Sequence, residues 1–424
     1  MTNMDWIGAA LIAARPQAVA ALLRHFRDLD TAEEAYQEAS LRALKTWPTN
    51  GPPRDPAAWL IMVGRNIAID GLRRQKRLTE LPDEDQLSDL GDTEEAIAEK
   101  IDDSHYRDDI LRLMFICCHP DLPAAQQIAL ALRVISGLTI EEIARAFLVS
   151  EAAMEQRITR AKRKVASLQA TFAPPGAVER SERLAAVAAT VYLLFNEGYA
   201  ASGGDAHVRR PLCEEALRLS RLLLKLFAAE PEIMGLAALI LLQHARTPAR
   251  LDANGAIIVL EKQDRALWDQ SMIAEGLALL EKAMRHHQPG SYQIQAAIAA
   301  LHDQAAKPED TNWSGIDALY AALERVQPSP VVTLNRAVAI SKSRGPGEAL
   351  AMIGPLEAAL AGYFYFHGLK GALLSQLGET QAARNSFNRA ISLANSPAEA
   401  AHIRQQLDLL GDDGAQSKMS GRKS

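Results

Sequence analysis

The sequence contains few of the residues on which redox, disulfide-bonded and membrane proteins depend. It has three cysteines in 424 residues, Cys117, Cys118 and Cys213, and no pair has the C-x-x-C spacing of a metal or redox site. No apolar run reaches the roughly 18 residues of a membrane-spanning helix, and the N-terminus lacks the charged start and cleavage site of a signal peptide. We therefore expect a cytoplasmic protein, without a membrane partner, in a reducing compartment.

Motifs that carry chemistry are also missing. The sequence has no Gly-rich phosphate loop and no nucleophile elbow. Cys117, Cys118 and His119 are adjacent in FICCHP, but neighbouring cysteines do not easily chelate one tetrahedral ion, and no second ligand pair follows. Because free cysteine is among the most buried residue types, we expect them to pack in a core. No metal site, cofactor or enzymatic activity is predicted.

The residues that are abundant favour helices. Hydrophobic residues make up 48% of the chain and aromatic residues 5%. Ala and Leu dominate, and runs of β-branched residues are few, which favours an all-α protein with well-filled cores. The length suggests two to four domains.

Residues 137–164 have the pattern of a helix-turn-helix. Thr139 and Glu142 form a capping box before the first helix, and Ser150 is a good N-cap for the second. At about 100° per residue, an apolar arc of the second helix holds Met154, Ile158, Ala161, Val165 and Leu168. The neighbouring arc holds Ala153, Gln156, Arg157, Arg160, Arg163 and Lys164. The first arc is suited to packing and the second to DNA, although a solvated basic face is the alternative.

The net charge of −6 conceals a strong segregation of sign. Residues 65–77 carry five basic side chains and one acid, whereas residues 80–109 carry thirteen acids and two bases. The stretch 78–103 is predicted to be a flexible acidic linker. It is either a solvated spacer or a strand that occupies a basic nucleic-acid channel by mimicking phosphates.

Two helices are predicted upstream of that linker. Residues 31–44 open with a second capping box, Thr31 and Glu34, and residues 57–77 follow Asp55 and Pro56, a cap and a first-turn proline. The segment WPTNGPPRD between them contains three prolines and a glycine, and is expected to form a stiff, exposed, non-helical loop. Trp47 and Trp59 are expected to be core aromatics, with base stacking as the alternative.

The order of these motifs resembles an extracytoplasmic-function sigma factor of bacterial RNA polymerase. An acidic helix is followed by an aromatic-led loop, an AWL-x-x-x-x-RN-x-A-x-D-x-LRR helix, an acidic linker, and a helix-turn-helix that ends in TRAK. The resemblance covers residues 1 to about 170. It implies core RNA polymerase, through its β′ clamp and β flap, and promoter DNA as partners.

The resemblance also implies roles for particular residues. Polymerase-binding positions on the first helix are Glu34, Gln37, Glu38 and Arg42. Positions that hold the opened minus-ten strand are Arg65, Asn66, Asp70, Arg73, Arg74, Lys76 and Arg77, with the loop 48–55 capturing an unstacked base. Positions that reach the minus-thirty-five duplex are Ala152, Ala153, Gln156, Arg157, Arg160, Arg163 and Lys164. Asn66 and Asp70 could instead satisfy each other one turn apart.

The helix-turn-helix departs from the usual pattern of the family. A Leu-Gly-Val-Ser turn is replaced by Phe147, Leu148, Val149 and Ser150, and a small-Thr-Val-Lys-Ser run by Ala153, Met154, Glu155 and Gln156. Loss of the glycine implies a different turn, and loss of the lysine removes one DNA contact. We therefore expect an unusual upstream element.

Helical segments continue through the rest of the chain. They are predicted at 180–196, 211–228, 231–242, 273–286, 292–304, 316–325 and 331–342, followed by two pairs. In the last pair Gly371, Leu374, Ala383, Phe387 and Ala390 have tetratricopeptide spacing, and Ala337, Ile340, Ala349, Ile353 and Leu356 lie 34 residues earlier. Together with VYLLFNEGYAASGG and LEKQDRALWD, this resembles the sigma-factor subgroup with a tetratricopeptide-like C-terminal extension.

The predicted organisation is all-α. Sigma region 2 spans residues 1–77, the acidic linker 78–105, region 4 with the helix-turn-helix 106–172, the helical-repeat array 173–410 and a disordered tail 411–424. The array is expected to bind a peptide or protein regulator, and Asp264 and Arg265 form either an internal ion pair or a peptide site. Two alternatives remain: a DNA-binding regulator independent of polymerase, and a ligand- or peptide-sensing adaptor.

Overall fold

The structure is a computed structural model that describes residues 5–51, 53–77, 103–147, 149–167, 177–199, 210–252, 258–394 and 397–420. Regular structure in these ranges is helical and includes no β-strand, which confirms the all-α fold class. The chain divides into two compact units, Met1–Leu193 and Leu194–Ser424.

The described part of the first unit consists of helices. They are α1 (Asp5–Phe26), α2 (Leu29–Asn50), α3 (Pro56–Arg77), α4 (Asp103–Cys117), α5 (Ala124–Ala131), α6 (Ile140–Phe147), α7 (Glu151–Ser167) and most of α8 (Ala177–Tyr199). Helices α1, α2 and α3 pack together around small side chains. Gly64 of α3 allows the closest approach, since a Cβ there would lie 2.8 Å from the carbonyl oxygen of Ala35 on α2.

Helix α2 differs at both ends from the sequence-based expectation. It begins at Leu29, and its N-cap is Asp28, whose carboxylate accepts a hydrogen bond from the Thr31 amide at 2.8 Å. The predicted capping box of Thr31 and Glu34 is therefore wrong. An acidic cap three residues earlier already satisfies a free amide of the first turn, so Thr31 lies inside that turn.

The expectation of a non-helical segment from Trp47 onward is also wrong at its start. Helix α2 includes Pro48 and ends at Asn50, and Gly51 adopts a left-handed φ of 77°. Trp47 is buried in a cluster with Ile7 and Ala43. This packing holds the last turn helical although Pro48 lacks an amide donor. Within the described residues, the irregular connection before α3 is thus limited to Gly51 and 53–55.

A π-helical turn, Leu132–Ser136, extends α5 and leads into the helix-turn-helix. It ends at Gly137, which has a φ of 77°. A side chain there would be strained, and its Cβ would also lie 2.8 Å from Cδ of Arg15 on α1. Glycine is therefore required both by the turn and by the approach of α1.

The second unit is a succession of paired helices. They are α9 (Arg210–Leu226), α10 (Pro231–Ala245), α11 (Gln270–Met284), α12 (Ser291–Asp303), α13 (Trp313–Val326), α14 (Pro330–Ser343), α15 (Pro346–Ile353), α16 (Phe364–Gln376), α17 (Thr380–Leu393) and α18 (Pro397–Ser420). The helical segments predicted between residues 180 and 342 all overlap observed helices. Helix α10 is buried on nearly every side, and packs against both α11 and α12.

The residues with tetratricopeptide spacing lie where helices cross. A Cβ on Gly371 of α16 would lie 2.5 Å from Cδ1 of Phe387 on α17, so only glycine allows this crossing. Leu374, Ala383 and Ala390 complete that core cluster. The residues 34 positions earlier form the equivalent cluster between α14 and α15: Ala337, Ile340, Ala349, Ile353 and Leu356.

Several features of the sequence fall partly outside the described residues. The predicted acidic linker is outside them from residue 78 to residue 102, and α4 begins at Asp103. Helix α18 continues past Leu410 to Ser420, and residues 421–424 lie outside the description.

One helix of the described chain, Trp6–Phe26, is long and apolar enough to cross a membrane by length and composition. This helix does not stand out as a continuous apolar run in the sequence, because Arg15 interrupts it. Half of its most apolar window is buried inside the unit, as in the core helix of a globular domain.

Candidate nucleic-acid interface

The helix-turn-helix begins with a complete capping box. The amide of Thr139 donates to Glu142 Oε2 at 2.7 Å, and the amide of Glu142 donates to Thr139 Oγ1 at 3.1 Å. The hydrogen bonds from Thr139 lower the pKa of the Glu142 carboxyl. This confirms the cap predicted from the sequence and fixes where α6 starts.

Helix α7 has the two arcs expected from the sequence. Ser150 caps it, since its Oγ accepts from the Ala153 amide at 3.3 Å. The apolar arc is buried and comprises Met154, Ile158, Ala161 and Val165, whereas Leu168 lies outside the described residues. The exposed positions are Ala152, Ala153, Gln156, Arg160, Arg163 and Lys164, and Arg157 is half-buried. The predicted duplex-contacting residues thus form one accessible surface at and beyond the N-terminal end of the helix.

The turn between α6 and α7 is formed without a glycine. The amide of Val149 donates to the carbonyl of Ala144 at 3.1 Å, which ends the first helix. Phe147 then packs under the guanidinium group of Arg157, 5.8 Å from the ring centroid. This contact positions Arg157 at the start of α7 and explains why it is less exposed than its basic neighbours. Leu148 is outside the described residues.

The predicted minus-ten residues lie on α3. Asp55 caps this helix by accepting from the amides of Ala57 and Ala58 at 2.9 and 3.1 Å, as expected. Arg65 and Asn66 are exposed and directly follow the buried residues 62–64. The side chains of Asp70, Arg73, Arg74, Lys76 and Arg77 lie outside the described residues, so the pairing of Asn66 with Asp70 stays a prediction.

The tryptophans near α3 are packing residues. Trp47 is buried, stacks with Trp6 at 6.2 Å between ring centroids and meets the edge of Trp59 at 5.3 Å. This confirms the core assignment of Trp47. Trp59 is half-buried on the same cluster.

The outer face of α2 is exposed. Glu34, Gln37, Glu38 and Arg42, the predicted polymerase-binding residues, all reach solvent. Leu41 and Leu44 lie beside them and are 52% and 42% exposed. Such a combination of polar side chains and exposed leucines on one helix is suited to packing against a partner helix.

The buried face of α2 carries a charged group that was not predicted from the sequence. Glu33 is buried and pairs with Arg15 of α1 at 3.0 Å and with Lys162 of α7 at 2.7 Å. Burial alone would lower the pKa of Lys162, but Glu33 and Asp30 raise it. A sequence signal existed, since Arg15 interrupts an apolar helix and Glu33 shares a helix face with the apolar Leu29, Ala32 and Tyr36. It did not identify the partner.

Cys117 and Cys118 are buried in the core of the first unit, as expected. Burial raises the pKa of Cys118 to about 12 and the pKa of Cys117 well above its ordinary value. Both thiols are therefore protonated near neutral pH and poor ligands or nucleophiles.

The KQDRALWD segment of the second unit makes hydrogen bonds within the protein that stabilise the fold. Asp264 caps a short 3-10 turn by accepting from the Ala266 amide at 2.9 Å, and Arg265 donates to the carbonyl oxygens of His302 and Ala305. The buried ion pair of this region is formed instead by Arg246 and Asp303, 2.6 Å apart. The proposed pairing of Asp264 with Arg265 is thus replaced by separate partners for each.

Family comparisons agree with this arrangement. A family model described as Sigma-70 region 2 matches residues 11–78, and one described as Sigma-70, region 4 matches residues 112–165. The chain belongs to the extracytoplasmic-function sigma-70 family. It is a sigma factor, a DNA-binding protein of transcription initiation, and the family implies core RNA polymerase and promoter DNA as partners. A third model, a family of unknown function named DUF6596, matches residues 183–284.

The relatives of this sigma factor differ in how much of it they share. An uncharacterized protein of Rhizobium meliloti (strain 1021) is 64% identical over 415 residues, which is 98% of each chain. The probable ECF RNA polymerase sigma factor SigI of Mycobacterium tuberculosis is 28% identical over 165 residues in two strains, covering 39% of this chain and 56% of SigI. The alignment with the first relative thus includes nearly all of the C-terminal extension.

Proposed function

We propose that the protein binds core RNA polymerase in the cytoplasm, recognises a minus-thirty-five duplex through α7, and holds the opened minus-ten strand along α3. The observation that carries this proposal is the division of α7 into a buried apolar arc and an exposed basic arc. The exposed arc begins at the capped N-terminus, the end of a recognition helix that reaches base edges.

Charge and geometry suggest different tasks for the residues of this arc. Gln156 and Arg157 lie in the first two turns of α7, where side chains reach into a major groove. Arg160, Arg163 and Lys164 lie further along the helix and suit phosphate contacts, which would make binding strongly salt-dependent. Arg65 and Asn66, the two members of the minus-ten set whose side chains are described, are both exposed.

The outer face of α2 is proposed to bind the β′ clamp of polymerase. Glu34, Gln37, Glu38 and Arg42 supply hydrogen-bonding groups, and the exposed Leu41 and Leu44 supply apolar area. Contact with the β flap is assigned to the region 4 helices by family resemblance alone. The protein is proposed to perform no enzymatic step itself.

The helical pairs of the second unit are proposed to regulate or support this activity, by binding a peptide or protein regulator. Stacked helical pairs more often bind polypeptide segments than carry out chemistry. The 64% identical relative aligns with 98% of this chain, including the helical pairs of the second unit. This supports a role for the extension in the function of the whole chain.

Reconstituted transcription with core polymerase tests the proposal, comparing the full chain with residues 1–193. The shorter form ends at the boundary of the first unit and keeps the part of α8 where Arg183 packs on Phe115. A promoter-dependent transcript from the shorter form alone would make the extension an inhibitor. A transcript from the full chain alone would make it an activator or a stabilising element.

The second candidate is a DNA-binding regulator that never joins polymerase. Its supporting observation is that the helix-turn-helix is complete in itself, with its own caps and buried arc. Duplex binding without any promoter-dependent transcript from either form would favour this candidate and contradict the first.

A further inference from the structure

We propose that Arg15, Glu33 and Lys162 form an interdomain latch that docks the region 4 helices on the region 2 helices in the free protein, and that must open before both promoter elements are bound. This inference rests on the proposed function. It concerns α1 and α2, which belong to region 2, and α5 to α7, which belong to region 4.

The first part of the latch is Arg15. From α1, it crosses to the end of the π-helical turn before the helix-turn-helix, where its Nε donates to the carbonyl of Val134 at 2.9 Å and its Nη2 to that of Arg133 at 3.2 Å. Carbonyl oxygens at a helix end carry partial negative charge, so they are suited to a guanidinium group. Gly137 leaves room for the side chain.

The second part is Glu33, which joins the two regions through a shared carboxylate. Its Oε1 accepts from Arg15 and its Oε2 pairs with Lys162 of α7. The Glu33 side chain is 5% exposed, that of Arg15 8% and that of Lys162 22%. Loss of one partner would leave a buried charge uncompensated, so these contacts favour the docked state cooperatively.

Two further ion pairs extend the latch. Lys162 also pairs with Asp30 at 2.6 Å, and Arg24 of α1 pairs with Asp109 of α4 at 3.1 Å. The Asp30 bridge again joins region 2 to region 4, and the Arg24 bridge joins region 2 to α4, the helix that precedes α5. They are more exposed than the Glu33 pairs, so salt would weaken them first.

The docked arrangement leaves two of the predicted binding faces accessible. The basic arc of α7 and the outer face of α2 are both exposed while Lys162 contacts Glu33. Docking therefore does not prevent binding to one promoter element or to one polymerase helix. Its effect must arise from the distance between the two regions.

Simple dimensions show why the latch would have to open. Elements centred at minus ten and minus thirty-five are about 25 base pairs apart, or roughly 85 Å along B-form DNA. A compact globular body of about 190 residues is only roughly 40 Å across. A docked pair of regions cannot occupy both elements of an extended promoter at once.

Zero-length cross-linking tests the docked state. A carbodiimide joins amines to carboxylates already in contact, so treatment of the full chain should yield peptides that link Lys162 to Glu33 or Asp30. The treated protein should still bind a minus-thirty-five duplex, yet give at least tenfold less promoter-dependent transcript than Lys162→Gln treated in the same way. Equal transcription despite a near-complete cross-link would overturn the latch, and so would absence of the linked peptides.

Substitutions test the same point without chemical treatment. Glu33→Gln keeps the shape but removes the shared charge, and should reduce the Asp30–Lys162 cross-link about fivefold or more while raising transcription at limiting polymerase. Glu141→Gln is the matched control, because it breaks the exposed Glu141–Arg145 pair within region 4. Lys162→Gln serves if Glu33→Gln fails to fold, as judged by circular dichroism. Unchanged transcription and cross-linking in a folded variant would overturn the proposal.

The outcomes separate this inference from the proposed function. A chain that transcribes without forming the cross-link, or without responding to the variants, contradicts the latch alone. A chain that forms the cross-link but gives no promoter-dependent transcript in any form contradicts the proposed function, and with it the role of the latch in promoter use.

Discussion

The ammonium group of Lys162 lies 2.7 Å from Oε2 of Glu33, and so connects the second helix of the helix-turn-helix to the inner face of α2. Helix α7 therefore makes three kinds of surface available. Its apolar arc is buried, its basic arc is exposed, and Lys162 contacts region 2. Lys162 belongs to the same basic run as Arg160, Arg163 and Lys164, yet its surroundings give it a different task.

Arg157→Ala should weaken use of the upstream element by about 1 to 3 kcal/mol if Arg157 pairs with a guanine. The loss should be confined to sequences that carry that base. Lys164→Ala, a phosphate-type control, should weaken binding to all sequences and reduce the salt slope by about one. Duplex-binding titrations at several salt concentrations distinguish the two, and an equal loss on every sequence for Arg157→Ala would identify a phosphate contact instead.

Thr139→Val should destabilise the helix-turn-helix by about 0.5 to 2 kcal/mol, because it removes the hydroxyl that caps the Glu142 amide. Denaturant unfolding of the full chain measures the change in the free energy of unfolding of the first unit. Thr46→Val is a control, since its hydroxyl bonds only within the α2 turn. A loss no larger than the control's would mean that the cap contributes little.

The helix-turn-helix was predictable in detail because its determinants are local. The capping box, the Ser150 cap and the 3.6-residue apolar period all act within a few residues. The C-terminal end of α2 was not predictable from the sequence, because Pro48 and Gly51 indicate a loop. In the structure, Trp47 is buried against distant residues of α1, and this packing keeps the last turn helical. Local signals cannot report such tertiary contacts.

Gly371→Ala should destabilise the second unit by about 1 to 3 kcal/mol, since the added Cβ would overlap the ring of Phe387. Gly347→Ala is the matched control, because nothing lies within 4 Å of a Cβ at that position. Thermal unfolding of both variants checks the difference. Equal stability of Gly371→Ala and Gly347→Ala would show that α16 and α17 can separate without cost.

The second unit should lose stability as pH falls from about 6.5 to about 4. Burial, followed by the charges of Arg246 and Arg265, lowers the pKa of His302 from the ordinary histidine value of 6.5 to about 4. Between these values the unfolded chain binds a proton that the folded chain does not, so stability rises with pH across this window, by at most about 3 kcal/mol.

The measurement is thermal unfolding at several pH values, comparing the wild type with His302→Phe, which keeps a ring against Trp313. The variant should show a shallower pH dependence between 4 and 6.5. The exposed His286→Gln should retain the wild-type slope. Identical slopes in the wild type and His302→Phe would assign the pH dependence to other groups.

The interdomain contact is the part of the candidate site that the sequence could not provide. Arg15 and Glu33 stand out as charges on apolar helix faces, but only the fold shows that Lys162 completes the group from a helix more than a hundred residues away. The minus-ten and polymerase-facing residues came from family resemblance. The structure adds that Glu34, Gln37, Glu38, Arg42, Arg65 and Asn66 are exposed.

Reconstituted transcription by core polymerase with the full chain tests the central claim most directly. The account predicts a transcript that starts at a defined promoter, requires the chain, and is reduced when either the upstream or the minus-ten element is altered. Stable binding of the chain to promoter duplex, with no promoter-dependent transcript from the full chain or from residues 1–193, would contradict it.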